Sequence, residues 1–316
     1  MSGACQNAGT HRTRGNPMSK DHADRIARII EPLRVKPGRK VTLKGDFDPG
    51  HTGDFVKKDD ATQAIADSVT LLAEYQAKLA AQDTYGLLVV IQAMDAAGKD
   101  GTIRHVMSGV NPQGVEVTSF KVPSALEQDH DYLWRAQLRL PGRGTIGIFN
   151  RSYYEETLVV RVHPPLLAGE RMPASAKGKD VWRRRFREIN DWERYLVDNG
   201  IRVVKLFLNV SPEVQRKRFL DRIEQPEANW KFSAADARER QSWAAYMAAY
   251  ADMLSHTSTE HAPWFVIPAD HKWFMRVAAS AVILDALMAI DPQYPVPTPD
   301  AKAEMEKVKA ELLAEK

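Results

Sequence analysis

Short apolar runs alternate with longer amphipathic stretches along most of the chain. The runs that are apolar on both faces lie at 87–92, 115–121, 145–150, 203–210 and 264–268. Such runs predict the strands of a parallel sheet that is covered on both sides. The stretches of helical periodicity lie near 61–82, 99–109, 124–140, 180–199, 212–256 and 271–290. Because strands that alternate with helices are typical of βαβ units, the pattern predicts an α/β fold of three layers, with helices on both faces of the sheet.

The two ends of the chain lack this alternation. Residues 1–34 show no sustained period and predict an N-terminal tail that is partly flexible. Residues 35–290 contain all five apolar runs, so we expect them to form one domain. The segment 291–316 opens with a proline-rich stretch and continues with Thr298 and Pro299, which suit a helix cap and its first turn. This segment therefore predicts a stiff linker followed by a short helix.

Charge and cysteine content limit the classes of function. The chain has 44 Lys and Arg residues against 41 Asp and Glu, a net charge of +3. This balance excludes a bulk nucleic-acid-binding surface, so any anion must be bound by a local cluster. The single cysteine, Cys5, excludes an intramolecular disulfide and points to a reducing compartment. No run approaches the roughly 18–20 apolar residues of a membrane span, and the N-terminus lacks the apolar segment of a signal peptide. We therefore expect a cytoplasmic protein that binds neither nucleic acid nor membrane.

A phosphate-binding loop is predicted where the first strand ends. Gly98 and Lys99 stand between a hydrophobic strand and a helix, at the spacing of the G-x-x-x-x-G-K-[S/T] motif. The small residues Ala96, Ala97 and Gly98 allow backbone N–H groups to surround an anion, and Lys99 adds a positive charge. Two positions depart from the motif, since Ala93 replaces its first glycine and Asp100 replaces its hydroxyl residue.

Because the usual hydroxyl ligand to magnesium is absent, the loop carboxylate Asp95 is the expected hard-oxygen replacement. The third strand ends at Asn150, followed by Arg151 and by Glu155 and Glu156. We interpret these residues as a metal and phosphoryl site, with Arg151 as a clamp for the anion. The alternative is a turn that carries an exposed Arg–Glu pair.

A basic helical lid is predicted after the fourth strand, over about 212–240. Ser211 and Pro212 start a helix that carries Arg216, Arg218 and Arg222, and Lys231 follows after a proline break. In P-loop kinases, a helix–break–helix segment at this place brings arginines over the phosphates. The alternative is a solvated amphipathic hairpin.

Four long motifs carry a resemblance to a known family. They lie at 92–103, 105–114, 149–156 and 257–264. In these motifs the chain resembles the second family of polyphosphate kinases, and most closely its class III, over roughly residues 35–290. The resemblance implies a thymidylate-kinase-like P-loop kinase fold with a parallel sheet and a helical lid. It also implies transfer of phosphate from inorganic polyphosphate to AMP and ADP, which yields ADP and ATP.

The resemblance assigns roles residue by residue. The residues expected to act in catalysis are Asp95, Lys99, Arg151 and Glu155. The residues expected to bind polyphosphate or nucleotide are Ala96, Ala97, Gly98, Lys99, Asp100, Gly101, Thr102, Arg104, Lys121, Arg216, Arg218, Arg222 and Lys231. The residues expected to hold Mg²⁺, or Mn²⁺ in its place, are Asp95, Asn150, Glu155 and Glu156. Glu156 stands where the family more often has Asp, and Tyr153 stands where His is common.

Further expectations follow from the resemblance, and other functions stay open on the residues alone. Family members form dimers or tetramers, so a homodimer or homotetramer is expected, with guanine nucleotides as additional acceptors. An ATP-dependent nucleoside monophosphate kinase would use the same loop and carboxylates. A non-catalytic polyanion-binding module would also need the basic residues, but it would gain nothing from acids beside the loop.

Overall fold

A five-stranded parallel sheet forms the centre of the protein. The computed structural model describes residues 20–55 and 57–315. The strands are β1 (Gly86–Ala93), β2 (Val115–Ser119), β3 (Ile146–Asn150), β4 (Ile201–Asn209) and β5 (Trp264–Pro268). Their order in the sheet is β2-β3-β1-β4-β5, and each neighbouring pair is parallel. All five predicted strands are therefore confirmed, with ends that shift by one or two residues.

The position of β1 brings the ends of three strands together. Strand β1 is buried along its whole length and pairs with β3 on one side and β4 on the other. Ile91 is in register with Asn150, the last residue of β3, so the loop after β1 begins beside the segment after β3. Loops at the carboxyl ends of parallel strands are the usual place for a ligand in such a sheet. The topology therefore places a crevice where the sequence places its phosphate loop.

Fourteen α-helices are present in the described residues. They are α1 (Lys20–Ile30), α2 (Leu43–Asp46), α3 (Lys58–Gln82), α4 (Lys99–Val106), α5 (Ala125–Gln128), α6 (Trp134–Gln137), α7 (Val159–Val162), α8 (Pro164–Gly169), α9 (Val181–Asp198), α10 (Pro212–Glu224), α11 (Ala234–Arg238), α12 (Trp243–Thr257), α13 (Lys272–Ile290) and α14 (Pro299–Ala314). Helices α1, α3, α4 and α13 pack together, as do α7, α9 and α12. The two groups flank the sheet, which gives the predicted α/β/α layers.

The N-terminal region is more ordered than the sequence pattern predicts. Residues 20–33 form α1 and a 3₁₀ turn, whereas a tail was expected up to residue 34. Ile26, Ile30 and Leu33 are buried, and their spacing places them on one face of the helix and turn. The expectation for residues 1–19 lies outside the described residues.

Two predicted helices are interrupted in the structure. The stretch 124–140 forms only α5 and α6, because the Asp131 side chain accepts the backbone N–H of Leu133 at 2.9 Å and competes with helix bonding. The stretch 212–256 contains α10, α11 and α12, separated by 3₁₀ segments at Pro226–Lys231 and Glu239–Ser242. The break after Pro226 is the one that the sequence predicts.

Helix α13 corrects the expectation that no segment has the length and composition of a membrane span. Its 19 residues reach a mean hydropathy of 1.7. Most of this helix is nevertheless buried inside the protein, where it packs against α3, β4 and β5. A helix that is apolar all round suits the middle of a large core, because every face meets another element.

A fully buried ion pair joins the sheet to α9 and to the segment after β3. The ammonium of Lys205 on β4 lies 2.5 Å from the Glu193 carboxylate and donates to the Tyr154 hydroxyl at 3.0 Å. Tyr153 and Tyr154 both donate to the other carboxylate oxygen of Glu193, at 2.7 and 2.8 Å. Lys205 also donates to the Thr257 carbonyl at 2.7 Å. The network therefore fixes the 3₁₀ segment Tyr153–Thr157 against the sheet.

Replacing Lys205 by Met tests how far this network depends on its charge pair. We expect the free energy of unfolding to fall by about 3–5 kcal/mol, because Glu193 would lose its counter-charge inside the protein. Urea unfolding followed by circular dichroism measures the loss. Arg187→Met, on the exposed face of the same helix as Glu193, should change stability by no more than about 0.5 kcal/mol. Equal losses in the two variants would show that the buried pair has no special role.

Candidate active site

The loop between β1 and α4 has the backbone of a phosphate-binding loop. Ala96 and Gly98 adopt positive φ values of 60° and 114°, which turn successive peptide groups around the loop. Glycine is favoured at position 98 by its φ, and a Cβ there would also lie 3.1 Å from the terminal methyl of Met275, which would have to shift slightly. Helix α4 starts directly after it, so free N–H groups of its first turn face the loop. The predicted anion site of Ala96, Ala97 and Gly98 is thus formed by the backbone.

Lys99 is folded back into this loop. Its ammonium donates to the carbonyls of Ala93 and Met94 at 3.0 and 3.4 Å. Burial lowers the pKa of Lys99, and the nearby carboxylate of Asp95 opposes that shift. The ammonium is thus held inside the loop, close to the expected position of a phosphate.

Arg151 connects the loop to the segment after β3. Its guanidinium donates to the Asp95 carboxylate at 2.7 Å and lies 3.7 Å from the Glu155 carboxylate. Arg151 has a φ of 62°, an uncommon value for a residue with a side chain, and such strain is often found at functional sites. Burial raises the pKa of Glu155, while Arg151 and Lys99 oppose that shift. Since Arg151 binds the loop carboxylate, the geometry favours a phosphoryl site over an exposed Arg–Glu turn.

The predicted metal ligands divide into two groups. Asn150 donates to the Asp100 carboxylate at 2.8 Å, at the start of α4 beside the loop. Glu156, in contrast, lies 3.2 Å from Arg185, which is 1% exposed and is also paired with Glu170. Glu156 thus contacts Arg185, whereas Glu155 contacts Arg151. The role of Glu156 as a metal ligand stays a prediction.

The remaining oxygen donors suit a magnesium ion. No cluster of three or more potential metal-binding side chains occurs within residues 20–55 and 57–315. Mg²⁺, however, is often held by only one or two carboxylates, with water and substrate phosphates as its other ligands. Asp95 and Glu155 provide two carboxylates that both contact Arg151, and the carbonyl oxygen of the Asn150 side chain is a further hard donor. The donor set therefore fits Mg²⁺ once phosphates are bound.

Arg218 supports the loop from behind and does not project from a lid. It is 8% exposed, and its guanidinium donates to the carbonyls of Ala96, Ala97, Ala269 and Asp270 at 2.6–3.2 Å. These bonds use the donors that the sequence analysis assigned to phosphate. Arg218 thus fixes two loop carbonyls on the side away from the anion.

Two residues that the sequence analysis did not identify complete this support. The buried side-chain amide of Gln215 donates to the Asp95 carbonyl at 2.8 Å. Arg240 donates to the Gln215 side chain and to the Pro212 carbonyl. Gln215 and Arg218 are three positions apart on α10, and this spacing was the available signal.

The other predicted basic residues lie around this core of the site. Arg222 and Arg276 act on Lys272, and Arg276 and Arg104 act on His105, so we refer to Arg104, Arg222, Lys272 and Arg276 as a cationic group. Burial lowers the pKa of Lys272, and the charges of Arg218, Arg276 and Arg222 lower it further, while Asp221 opposes the shift. Burial, Arg276 and Arg104 likewise lower the pKa of His105.

The remaining predicted binding residues are placed less centrally. Arg216 and Lys231 are exposed on α10 and on the 3₁₀ segment that follows, where the Lys231 ammonium lies 4.9 Å from the centre of the exposed Trp230 ring. Lys121 is exposed after β2, and its carbonyl accepts a bond from Arg135 at 2.8 Å. The Thr102 hydroxyl donates to the Gly98 carbonyl at 3.1 Å, so it forms a hydrogen bond within the first turn of α4. Gly101 faces open space.

The pairing of Glu156 with Arg185 generates a prediction about pH. Burial and the neighbouring Glu170 raise the pKa of Glu156 to about 7, although Arg185 opposes the shift. The ordinary value of Glu is about 4.3, so between about pH 4.3 and 7 the folded protein binds more protons at this site than the unfolded chain. The contribution of this site to the unfolding free energy is therefore greatest below about pH 4.3, and it declines as the pH rises through 7.

Glu156→Gln should remove this decline, because the amide keeps an acceptor for Arg185 without titrating. As the pH rises from 4.5 to 7.5, the unfolding free energy of the variant should increase by about 1–3 kcal/mol relative to that of the parent. Urea unfolding at a series of pH values measures it. A difference that stays constant with pH would contradict the raised pKa.

Comparisons with known proteins show the family of this chain. The model of the family described as Polyphosphate kinase 2 (PPK2) matches residues 55–295. The chain is 48% identical over 282 residues to an ADP-polyphosphate phosphotransferase of Rhodopseudomonas palustris, which covers 89% of this chain and 97% of that protein. It is 42% identical over 269 residues to an AMP/ADP-polyphosphate phosphotransferase of Meiothermus ruber, with coverage of 85% and 96%.

A solved structure shares the fold as well as the sequence. The crystal structure of Polyphosphate Kinase 2 from Arthrobacter aurescens superposes with a TM-score of 0.80 at 39% sequence identity, and the match covers 89% of this chain and 96% of that one. Residues 55–295, which match the family model, contain β1, the phosphate loop, Arg151 and Glu155. This protein belongs to the polyphosphate kinase 2 family.

Proposed function

We propose that this protein transfers the terminal phosphate of inorganic polyphosphate to ADP and AMP. The observation that carries the proposal is the cluster of Lys99, Asp95, Arg151 and Glu155 at the carboxyl ends of β1 and β3. Cations and carboxylates placed together serve phosphoryl transfer, whereas a simple anion-binding site has no need of the carboxylates. The names of relatives at 48% and 42% identity support polyphosphate as the donor and ADP or AMP as the acceptor.

In the proposed reaction, a terminal phosphate oxygen of the nucleotide attacks the terminal phosphorus of polyphosphate. The bond from that phosphorus to its bridging oxygen breaks, and the shortened polyphosphate leaves with the bonding electrons. The attacking oxygen is already anionic, so positioning and charge neutralisation matter more than a strong base. Lys99 and the N–H groups of the loop hold the reacting phosphate, and Arg151 stabilises the charge that it carries.

Mg²⁺, or Mn²⁺ in its place, is the proposed metal, held by Asp95 and Glu155 with Asn150 beside them. When bound, it would neutralise phosphate charge and align the donor with the acceptor. Arg151 contacts both carboxylates, and its positive charge offsets the repulsion between them. The same guanidinium is thereby held ready for an incoming phosphate.

The cationic group beside the loop is the proposed path of the polyphosphate chain. Arg104, Arg222, Lys272 and Arg276 come from three helices, and the lowered pKa of Lys272 reflects burial and the nearby charges of Arg218, Arg276 and Arg222. A linear polyanion would relieve that repulsion over several phosphates at once. Arg216 and Lys231, both exposed, are further proposed contacts for the chain. The single cysteine supports the cytoplasm as the compartment.

The phosphate donor distinguishes this function from its alternatives. With AMP, polyphosphate and Mg²⁺ but without ATP, we expect ADP and then ATP to form, as measured by nucleotide chromatography. ADP formed only when ATP is supplied would instead identify an ATP-dependent nucleoside monophosphate kinase. Salt-sensitive binding of polyphosphate without turnover would identify a polyanion-binding module. Parallel reactions with GMP and GDP measure the selectivity for the base.

Substitutions at the loop test the assigned residues. Lys99→Ala and Asp95→Asn should each lower the rate of ATP formation from polyphosphate by about 100-fold or more, because both remove groups that contact the transferring phosphate or its metal. Lys44→Ala, at an exposed position of α2, is the matched control and should keep the parent rate. A folded Lys99→Ala protein with the parent rate would show that this loop is not the site of transfer.

A further inference from the structure

The C-terminal helix α14 is a separate feature that the proposed reaction does not use. Every described residue from Gln293 to Glu315 is exposed, whereas the preceding helix α13 is buried along most of its length. Large apolar side chains are included, with Met305 61% exposed and Leu312 60% exposed. An ordered helix with an uncovered apolar stripe is typical of an interaction surface.

The apolar positions on α14 follow the spacing of a coiled-coil seam. Ala301, Met305, Val308 and Leu312 are separated by four, three and four residues. This is the d-a-d-a pattern of a heptad repeat, which places the four side chains along one stripe of the helix. We call these four residues the seam. Leu313 is equally apolar and 77% exposed but lies beside the seam, at position b.

The charges that flank the seam select both the partner and its direction. Lys302 and Lys309 occupy the e positions, and Glu304 and Glu311 occupy the g positions. In a parallel pair of identical helices, a g residue faces the e residue five positions further along the partner, so Glu304 would meet Lys309. An antiparallel pair would place Lys against Lys and Glu against Glu, which is repulsive. The charge pattern is therefore self-complementary only between parallel copies.

The connection to the core allows such pairing. Helix α13 ends at Ile290, its C-cap Asp291 has a φ of 49°, and a segment without regular structure then runs to the N-cap of α14. Pro292, Pro295 and Pro297 stiffen this segment. The Thr298 hydroxyl accepts the backbone N–H of Ala301 at 3.2 Å and starts the helix. The seam is thus exposed on a formed helix.

We propose that α14 is a self-association element that pairs in parallel with α14 of a second copy of this chain. The seams of the two helices cover each other, and Glu304 of each copy pairs with Lys309 of the other. This assembly is independent of phosphoryl transfer, because the pairing surface is built from residues outside the loop and the carboxylate cluster.

Neighbouring leucines provide the first test. We would measure the mass of the full chain by light scattering over a range of concentrations for the parent, Leu312→Glu and Leu313→Glu. Leu312→Glu should raise the dissociation constant of the assembly at least about tenfold, and Leu313→Glu should stay within about twofold of the parent. A monomeric parent at all concentrations, or equal effects of the two variants, would overturn the proposal. Equal effects would mean that α14 associates through a surface other than the seam.

Charge exchange and cross-linking test the pairing and its direction. The variants Glu304→Lys/Glu311→Lys and Lys302→Glu/Lys309→Glu should each weaken self-association, and an equimolar mixture should restore it. In a Cys5→Ser background, Ala301→Cys should form a disulfide-linked dimer when diamide is added, because a parallel pair places residue 301 opposite itself. An antiparallel pair would instead place residue 301 opposite residue 312. If Ala301→Cys chains fail to cross-link to each other but do cross-link to Leu312→Cys chains, the pairing is antiparallel and the proposal is overturned.

Discussion

The pairing of β1 with β3 and β4 is the constraint on which the site depends. Three parallel strands end at one edge of the sheet, and the register of Ile91 with Asn150 sets the phosphate loop beside the segment that carries Arg151. Strand β1 is buried throughout, so its position cannot shift without loss of the core. Loop and carboxylates are therefore brought together by backbone pairing, and side chains only complete the arrangement.

A charged loop of this kind needs support from the side away from its ligand. Arg218 and Gln215 provide it, by binding the carbonyls of Ala96, Ala97 and Asp95. Loop carbonyls that are held from behind leave the opposite N–H groups directed toward the anion. Preorganised dipoles of this kind need not reorient during the reaction, and for this reason they are effective in stabilising developing charge.

Buried charges serve the same purpose at a greater distance from the site. The Lys205–Glu193 pair binds both tyrosines of the segment 153–157, and Arg185 binds the carboxylate and the backbone carbonyl of Glu156. Glu155 lies between these anchored residues and faces Arg151. Glu156 is thus held by Arg185, next to Glu155, which contacts Arg151. The near balance of 44 basic and 41 acidic residues conceals this division of roles.

The sequence by itself determined the five strands, the phosphate loop with Lys99, and the cap of α14. These features depend on local periodicity, turn chemistry and short motifs, which are readable within a few residues. Only the tertiary structure decided that Arg218 binds carbonyls, that Glu156 turns to Arg185, and that residues 20–33 pack as a helix and turn. Each of these depends on a partner more than ten positions away in the chain or on another layer of the fold. A sequence pattern shows which groups a residue can bind, but the packing of the layers decides which of them it meets.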